Sequence, residues 1–176
     1  MDLRRSLNGA LAGGVAAGLW AAQQPLDKRL GGSAYDDVEL LGKLVTRGPA
    51  WPAAGAALHV ANGALFGAVY AQLRPFLPGP PVVRGLLAAQ VEHVGLFSLV
   101  GVVDRIHPAR DELPALSGNG RAFAQATWRH AIFGVVLGLL EARLNAERHA
   151  EPPEVEVSSN GYGDIEAAVG AAGASY

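Results

Sequence analysis

Cysteine is absent from all 176 residues, which removes disulfides, zinc–thiolate sites, thiol nucleophiles and cysteine-held clusters together. Charge is sparse, at 17% of residues, and 14 Lys and Arg do not exceed 16 Asp and Glu. Without a basic excess to neutralise phosphates, no nucleic-acid partner is expected. The chain also lacks a P-loop and a GxSxG nucleophile turn, and its glycine repeats lie in apolar stretches with no strand for a dinucleotide-binding loop to follow. No catalytic residue is assigned, and an enzyme is the less expected class.

Apolar and small residues fill the space. Half the chain is hydrophobic and 23 residues are glycine, and small residues are what closely packed membrane helices use at their contacts. Ser6 to Leu26 and Gly48 to Leu73 carry no Asp, Glu, Lys or Arg, and about 20 apolar residues suffice to cross a bilayer core. Further on, 82–103 and 122–140 are long enough but hold Glu92, His93, Gln125, Arg129 and His130. The expectation is an all-α integral membrane protein. A four-transmembrane-helix bundle over residues 1–150 has spans at about 6–26, 52–73, 82–103 and 122–140, and 151–176 is a disordered C-terminal tail. Arg4 and Arg5 before the first run also fit a cleaved signal peptide, but three further spans would be inserted in any case.

Two connections shape the bundle. Between the first two spans, Asp36 or Asp37 caps a short amphipathic surface helix with Val38, Leu41, Leu44 and Val45 on one face. RPFLPGPP at Arg74–Pro81 is a tight turn, which predicts spans two and three as antiparallel neighbours.

His-xxx-Gly-xxx-Gly occurs twice, as His59/Gly63/Gly67 and His130/Gly134/Gly138. On a helix each triplet forms one face, so an ionisable group shares a stripe with a close-packing groove. Gly9/Gly13 and Gly14/Gly18 add two GxxxG pairs in span one. The two halves overlay with Gly14 falling on Gly85, the pattern of an internal duplication.

At about 1.5 Å per residue, His59, Glu92, His93, Arg129 and His130 lie within about one helical turn of a common depth. With Asn62 and Gln125 they make a buried polar layer, facing a vestibule fed by the polar connections at 27–47 and 104–121. An ion pair between Glu92 and Arg129 is expected across spans three and four, with the histidines hydrogen-bonded to carbonyls, Asn62 or Gln125. His59, His93 and His130 also offer an alternative metal or haem site, although no HxxxH or ExxH pair fixes ligand geometry; otherwise no cofactor and no metal is expected. The functional expectation is transport or permeation of a small solute or protons through this layer. A structural or accessory membrane subunit is the alternative, and a metal- or haem-binding membrane enzyme is a further one.

The four glycine-rich spans from about Ser6 to Asn145, with GxxxG pairs in the first and a polar connection after it, resemble the YagU-like group of uncharacterised bacterial inner-membrane proteins. QQPLDKRL at Gln23–Leu30 departs from the proline- and arginine-rich pattern of that group. The resemblance implies a small inner-membrane protein without an assigned reaction, and no site residues. The lipid bilayer is the expected environment, with a homo-oligomer or a membrane partner. Lys and Arg divide six against seven between the two sides, so orientation rests on Arg4 and Arg5, which favour cytoplasmic termini.

Overall fold

A computed structural model gives the fold, described for residues 2–146. The expected tail at 151–176 lies outside the described residues. Six helices follow one another: α1 (Leu3–Gly31), α2 (Asp37–Val45), α3 (Trp51–Leu73), α4 (Pro81–Phe97), α5 (Val100–Ile106) and α6 (Gly120–Leu144). No strand occurs among the described residues.

The expected first span is too short. α1 passes through Pro25, which forfeits one backbone hydrogen bond, and continues to Gly31 before Gly32, at φ 61°, turns the chain in the left-handed conformation. Its inward face of Gly9, Gly13, Ala16, Ala17 and Trp20 extends one turn further to Gln24 and Asp27. The third segment differs as well, because the helix breaks at Ser98–Leu99 and α5 leaves α4 at 47°. Trp51–Phe76 and α6 are long and apolar enough to cross a membrane, and the bent α4–α5 pair would make a third such element.

Packing contradicts the expected neighbourhood of spans two and three. α1 packs on α3, α4 on α6 and α1 on α6, whereas α3 and α4 do not pack on each other despite the short turn between them. Glycines decide these partners. A Cβ on Gly13 would strike the Gly63 carbonyl, one on Gly67 the Gly9 carbonyl, and one on Gly85 the Gly134 carbonyl. Gly138 in turn lies against the Pro81 carbonyl. Two of the expected packing glycines play little part. Gly14 has only ordinary contacts, and Gly18 faces open space.

α2 forms as expected, with the Asp36 carboxylate accepting from the Glu39 amide at 2.9 Å. It lies against α3 through a glycine joint absent from the expectation, where Cβ atoms on Gly42 and Gly55 would strike the Trp51 and Val38 carbonyls. Leu44 and Val45 stay exposed.

The core is small and the outside is large. Ala12, Ala16, Ala17, Ala71, Ala89, Ala122 and Ala126 are buried, while Leu7, Leu11, Leu19, Leu65, Val69, Leu87 and Leu139 are exposed along the long helices. An apolar outer surface around an alanine–glycine interior suits lipid better than water.

Candidate functional site

Because α3 and α4 stand apart, a cavity of about 330 Å³ opens between them. His59, Asn62, Gly63 and Phe66 of α3 form one wall, and Glu92, His93, Leu96 and Phe97 of α4 the other. Trp20, His130 and Phe133 contribute from α1 and α6, with Leu40 and Leu41 of α2 and Val100 and Val103 of α5 at the margin. Asn62, Leu96 and Leu99 are exposed lining residues, so they mark its mouth. The volume sits at the lower end of the range of ligand pockets, about 300–1,000 Å³.

Expected polar residues divide into two groups. His59, Asn62, Glu92, His93 and His130 line the cavity, whereas Gln125 and Arg129 do not. The expected Glu92–Arg129 pair does not form. Arg129, with no exposed surface, donates from Nε and Nη2 to the two Asp27 oxygens at 2.6 and 2.7 Å, and from Nη1 to Asp37 Oδ2 at 2.7 Å. Its fourth bond is to the Tyr35 carbonyl at 3.0 Å. The fork of Arg129 fits the Asp27 carboxylate, which the extension of α1 carries to the same level, and Glu92 meets His130 instead.

The carboxylates are themselves held. Gln125 donates to Asp27 at 2.7 Å rather than to a histidine, Gln23 adds a bond at 2.8 Å, and Trp20 Nε1 and the Tyr35 hydroxyl donate to Asp37 at 3.2 and 2.5 Å. Burial pushes the Asp27 carboxyl up, but the bonds from Arg129 and Gln125 outweigh it and hold the group below its ordinary range. Burial, and then the neighbouring Asp37 carboxylate, pushes the Tyr35 phenol well above its ordinary range, so it stays a donor.

Chemistry fixes the protons of two histidines. His130 Nδ1 lies 2.7 Å from the Ala126 carbonyl, which only accepts, so Nδ1 carries a hydrogen. Nε2 is 2.9 Å from Glu92 Oε2. A hydrogen bond at that distance has one proton between the two atoms. The Thr127 hydroxyl donates to the Phe123 carbonyl at 2.9 Å and therefore accepts from His93 Nε2 at 3.0 Å. His59 differs. It is 7% exposed and its Nε2 is buried with no hydrogen-bond partner. Trp20 presents edge contacts to the His59 and His130 rings at centroid distances of 5.0 and 4.5 Å.

No group of three His, Asp or Glu side chains that could hold a metal ion occurs among the described residues. From the two polar connections Tyr35, Asp37, Leu40, Leu41 and Leu116 reach the cavity lining, while many of the charged groups pair with one another. Lys43 bridges Glu39 and Glu112, Arg47 binds Asp111 and Glu112, His107 holds the Leu40 carbonyl at 3.0 Å, and Asp104 accepts from the Leu116 and Ser117 amides. These contacts tie α2 to the 107–119 connection, closing over the end of the bundle.

Sequence reasoning missed Trp20, Tyr35 and the opposite end of the bundle. There Glu141, fully buried, binds Arg74 at 2.8 Å and Asn145 at 3.0 Å. Glu141 falls on the inward face about one turn beyond Gly138, and Asp27 about four turns beyond Gly13 on the same face, and that periodicity was the available signal. No family model, curated protein or solved structure matches the chain.

Proposed function

We propose that the chain is a four-span inner-membrane protein that takes a small solute into the cavity between α3 and α4, as the binding step of transport or permeation. The observation that carries this reading is His59 Nε2, buried without a partner in a residue that lines the cavity. A buried polar atom without a bond costs about 1–3 kcal/mol, and a ligand that bonds to it recovers that cost. α1 completes the four spans. Its exposed stripe of Leu3, Leu7, Leu11, Val15 and Leu19 offers lipid an apolar face, and its glycines bind it to α3 along the interior. Arg4 and Arg5 favour cytoplasmic termini.

In proteoliposomes carrying an imposed pH gradient, the parent chain should dissipate the gradient faster than protein-free vesicles, and Glu92→Gln should abolish the difference while remaining folded by circular dichroism. Equal rates for parent and protein-free vesicles would refute the reading. An accessory role is the second reading, favoured by the buried Arg129 network, which joins α1, α2 and α6 through two carboxylates and resembles a structural staple. It expects a membrane partner to co-purify and the gradient to persist.

A further inference from the structure

The geometry points to an organic cation as the solute of this cavity, bound beside Glu92 in exchange for the proton that Glu92 and His130 share; this rests on the reading that the cavity takes a solute. Charge is the first ground. Two carboxylates, Asp37 and Glu92, line the cavity, and no Lys or Arg does among the described residues. Asp37 shares Arg129 with Asp27, and its oxygens are already taken by Arg129, Trp20 and the Tyr35 hydroxyl, which leaves Glu92 as the carboxylate a ligand can answer. The walls supply the second ground. Trp20, Phe66 and Phe133 offer aromatic rings around one side of the space, and ring faces attract a cation that has shed its water. The remaining lining is mostly aliphatic, so the body attached to the charge must be apolar.

The third ground is the committed Nδ1 of His130. With Nδ1–H given to the Ala126 carbonyl, the 2.9 Å approach of Nε2 to Glu92 holds one proton and no more. A cation beside the Glu92 carboxylate replaces that proton as counter-charge. The shared proton then leaves to bulk water, and His130 stays neutral with its hydrogen on Nδ1. The groups facing the pair are Asp37 and Tyr35 from the α2 side, His59 from α3, His93 from α4 and Arg129 from α6; α1 presents the neutral Trp20. Of these, Asp37 and Arg129 are tied, together with Asp27 of α1, into one hydrogen-bonded cluster that also takes bonds from Gln125, Trp20 and Tyr35, so the Glu92–His130 pair carries the linkage.

Benzyltrimethylammonium tests this, because a quaternary nitrogen has no proton of its own to release. Calorimetric titration of the full chain in lipid nanodiscs, repeated in two buffers of different protonation enthalpy, should show release of up to one proton per cation bound. Affinity should rise with pH by up to tenfold per unit across the range in which the pair is protonated. Glu92→Gln should abolish proton release and weaken binding at least tenfold, and His130→Gln should bind without release at neutral pH. Neopentylbenzene, the uncharged isostere, should bind at least tenfold more weakly to the parent. Equal binding of the isostere overturns the cation inference and leaves solute binding standing; binding of neither overturns both.

Discussion

Replacing Arg129 with Met should unfold much of the protein, and the size of the loss follows from what the guanidinium leaves behind. Arg129 is wholly buried and makes four hydrogen bonds, three of them to carboxylate oxygens. Removing it strands Asp27 and Asp37 together in the interior. Breaking a buried pair by deleting one partner costs about 3–5 kcal/mol. Two stranded carboxylates argue for the upper part of that range, while the bonds that Asp27 keeps from Gln23 and Gln125, and Asp37 from Trp20 and Tyr35, argue for the lower. At 1.36 kcal/mol per decade, the folded-to-unfolded ratio falls by a factor of about a hundred to several thousand. Reversible denaturation in mixed micelles, followed by circular dichroism, reads this loss. The pH dependence gives a second, sign-sensitive reading. In the parent, Asp27 is depressed, so its contribution is present above the unfolded carboxylate value and is lost as pH falls through the folded one, below about pH 4. In Arg129→Met Asp27 loses the partner that outweighs its burial and favours the protonated form, so stability should instead rise as pH falls from 7 toward 4. A loss under about 1 kcal/mol, or a pH profile like the parent's, would refute the ion-pair argument.

Two further substitutions separate packing from composition. Gly13→Ala drives a methyl group into the Gly63 backbone and should cost about 1–3 kcal/mol in the same assay, whereas Gly18→Ala, with open space around it, should be neutral or stabilise by up to about 1 kcal/mol. Equal effects would mean that the α1–α3 joint is misplaced. A Cβ on Gly14 would stand 3.8 Å from the Ala64 Cβ, within the disulfide range of about 3.5–4.5 Å. Since the chain has no cysteine of its own, Gly14→Cys with Ala64→Cys should cross-link cleanly on mild oxidation. A pair that stays reduced on non-reducing gels would contradict that neighbourhood.

Helix content and the apolar exterior were legible because both are set locally, by runs of Ala, Gly, Leu and Val. The glycine faces were legible too, through their four-residue spacing. Partner choice was not. The turn at Arg74–Pro81 suggested that α3 and α4 pack together, yet a short connection fixes proximity of helix ends alone, and the close-packing glycines of α3 face α1. The same limit explains Arg129. Depth along the helices matched it to Glu92, but pairing depends also on which face each side chain occupies, and on Asp27, which Pro25 and the charged Asp27–Lys28–Arg29 run disguised as part of a loop. His59, Asn62, Glu92, His93 and His130 came together as a cavity lining because depth and small-residue faces sufficed to gather them.

The cavity's position has a reason in the two glycine joints. A shift of 72 residues carries Gly9 and Gly13 of α1 to Pro81 and Gly85 of α4, and a shift of 71 carries Gly63 and Gly67 of α3 to Gly134 and Gly138 of α6. The contacts correspond as well: Gly13 with Gly63 matches Gly85 with Gly134, and Gly9 with Gly67 matches Pro81 with Gly138. The joint therefore uses Gly13, one residue before the Gly14 that the sequence overlay set on Gly85. Related this way, α1–α3 and α4–α6 are equivalent pairs, and the α1–α6 contact has a counterpart in α3–α4. Only one of the two is closed. Under the same shifts Arg129 falls on Leu58 and Asp27 on Leu99, so the ion pair that clasps α1 to α6 has two leucines in its place along the α3–α4 seam. Leu99 also stands at the break between α4 and α5, which turns the chain away from α3. Trp20 falls on Glu92, which puts a carboxylate beside His130 where the other half puts an indole beside His59. The loss of the clasp opens the seam, and the charge gained at Glu92 lies within it.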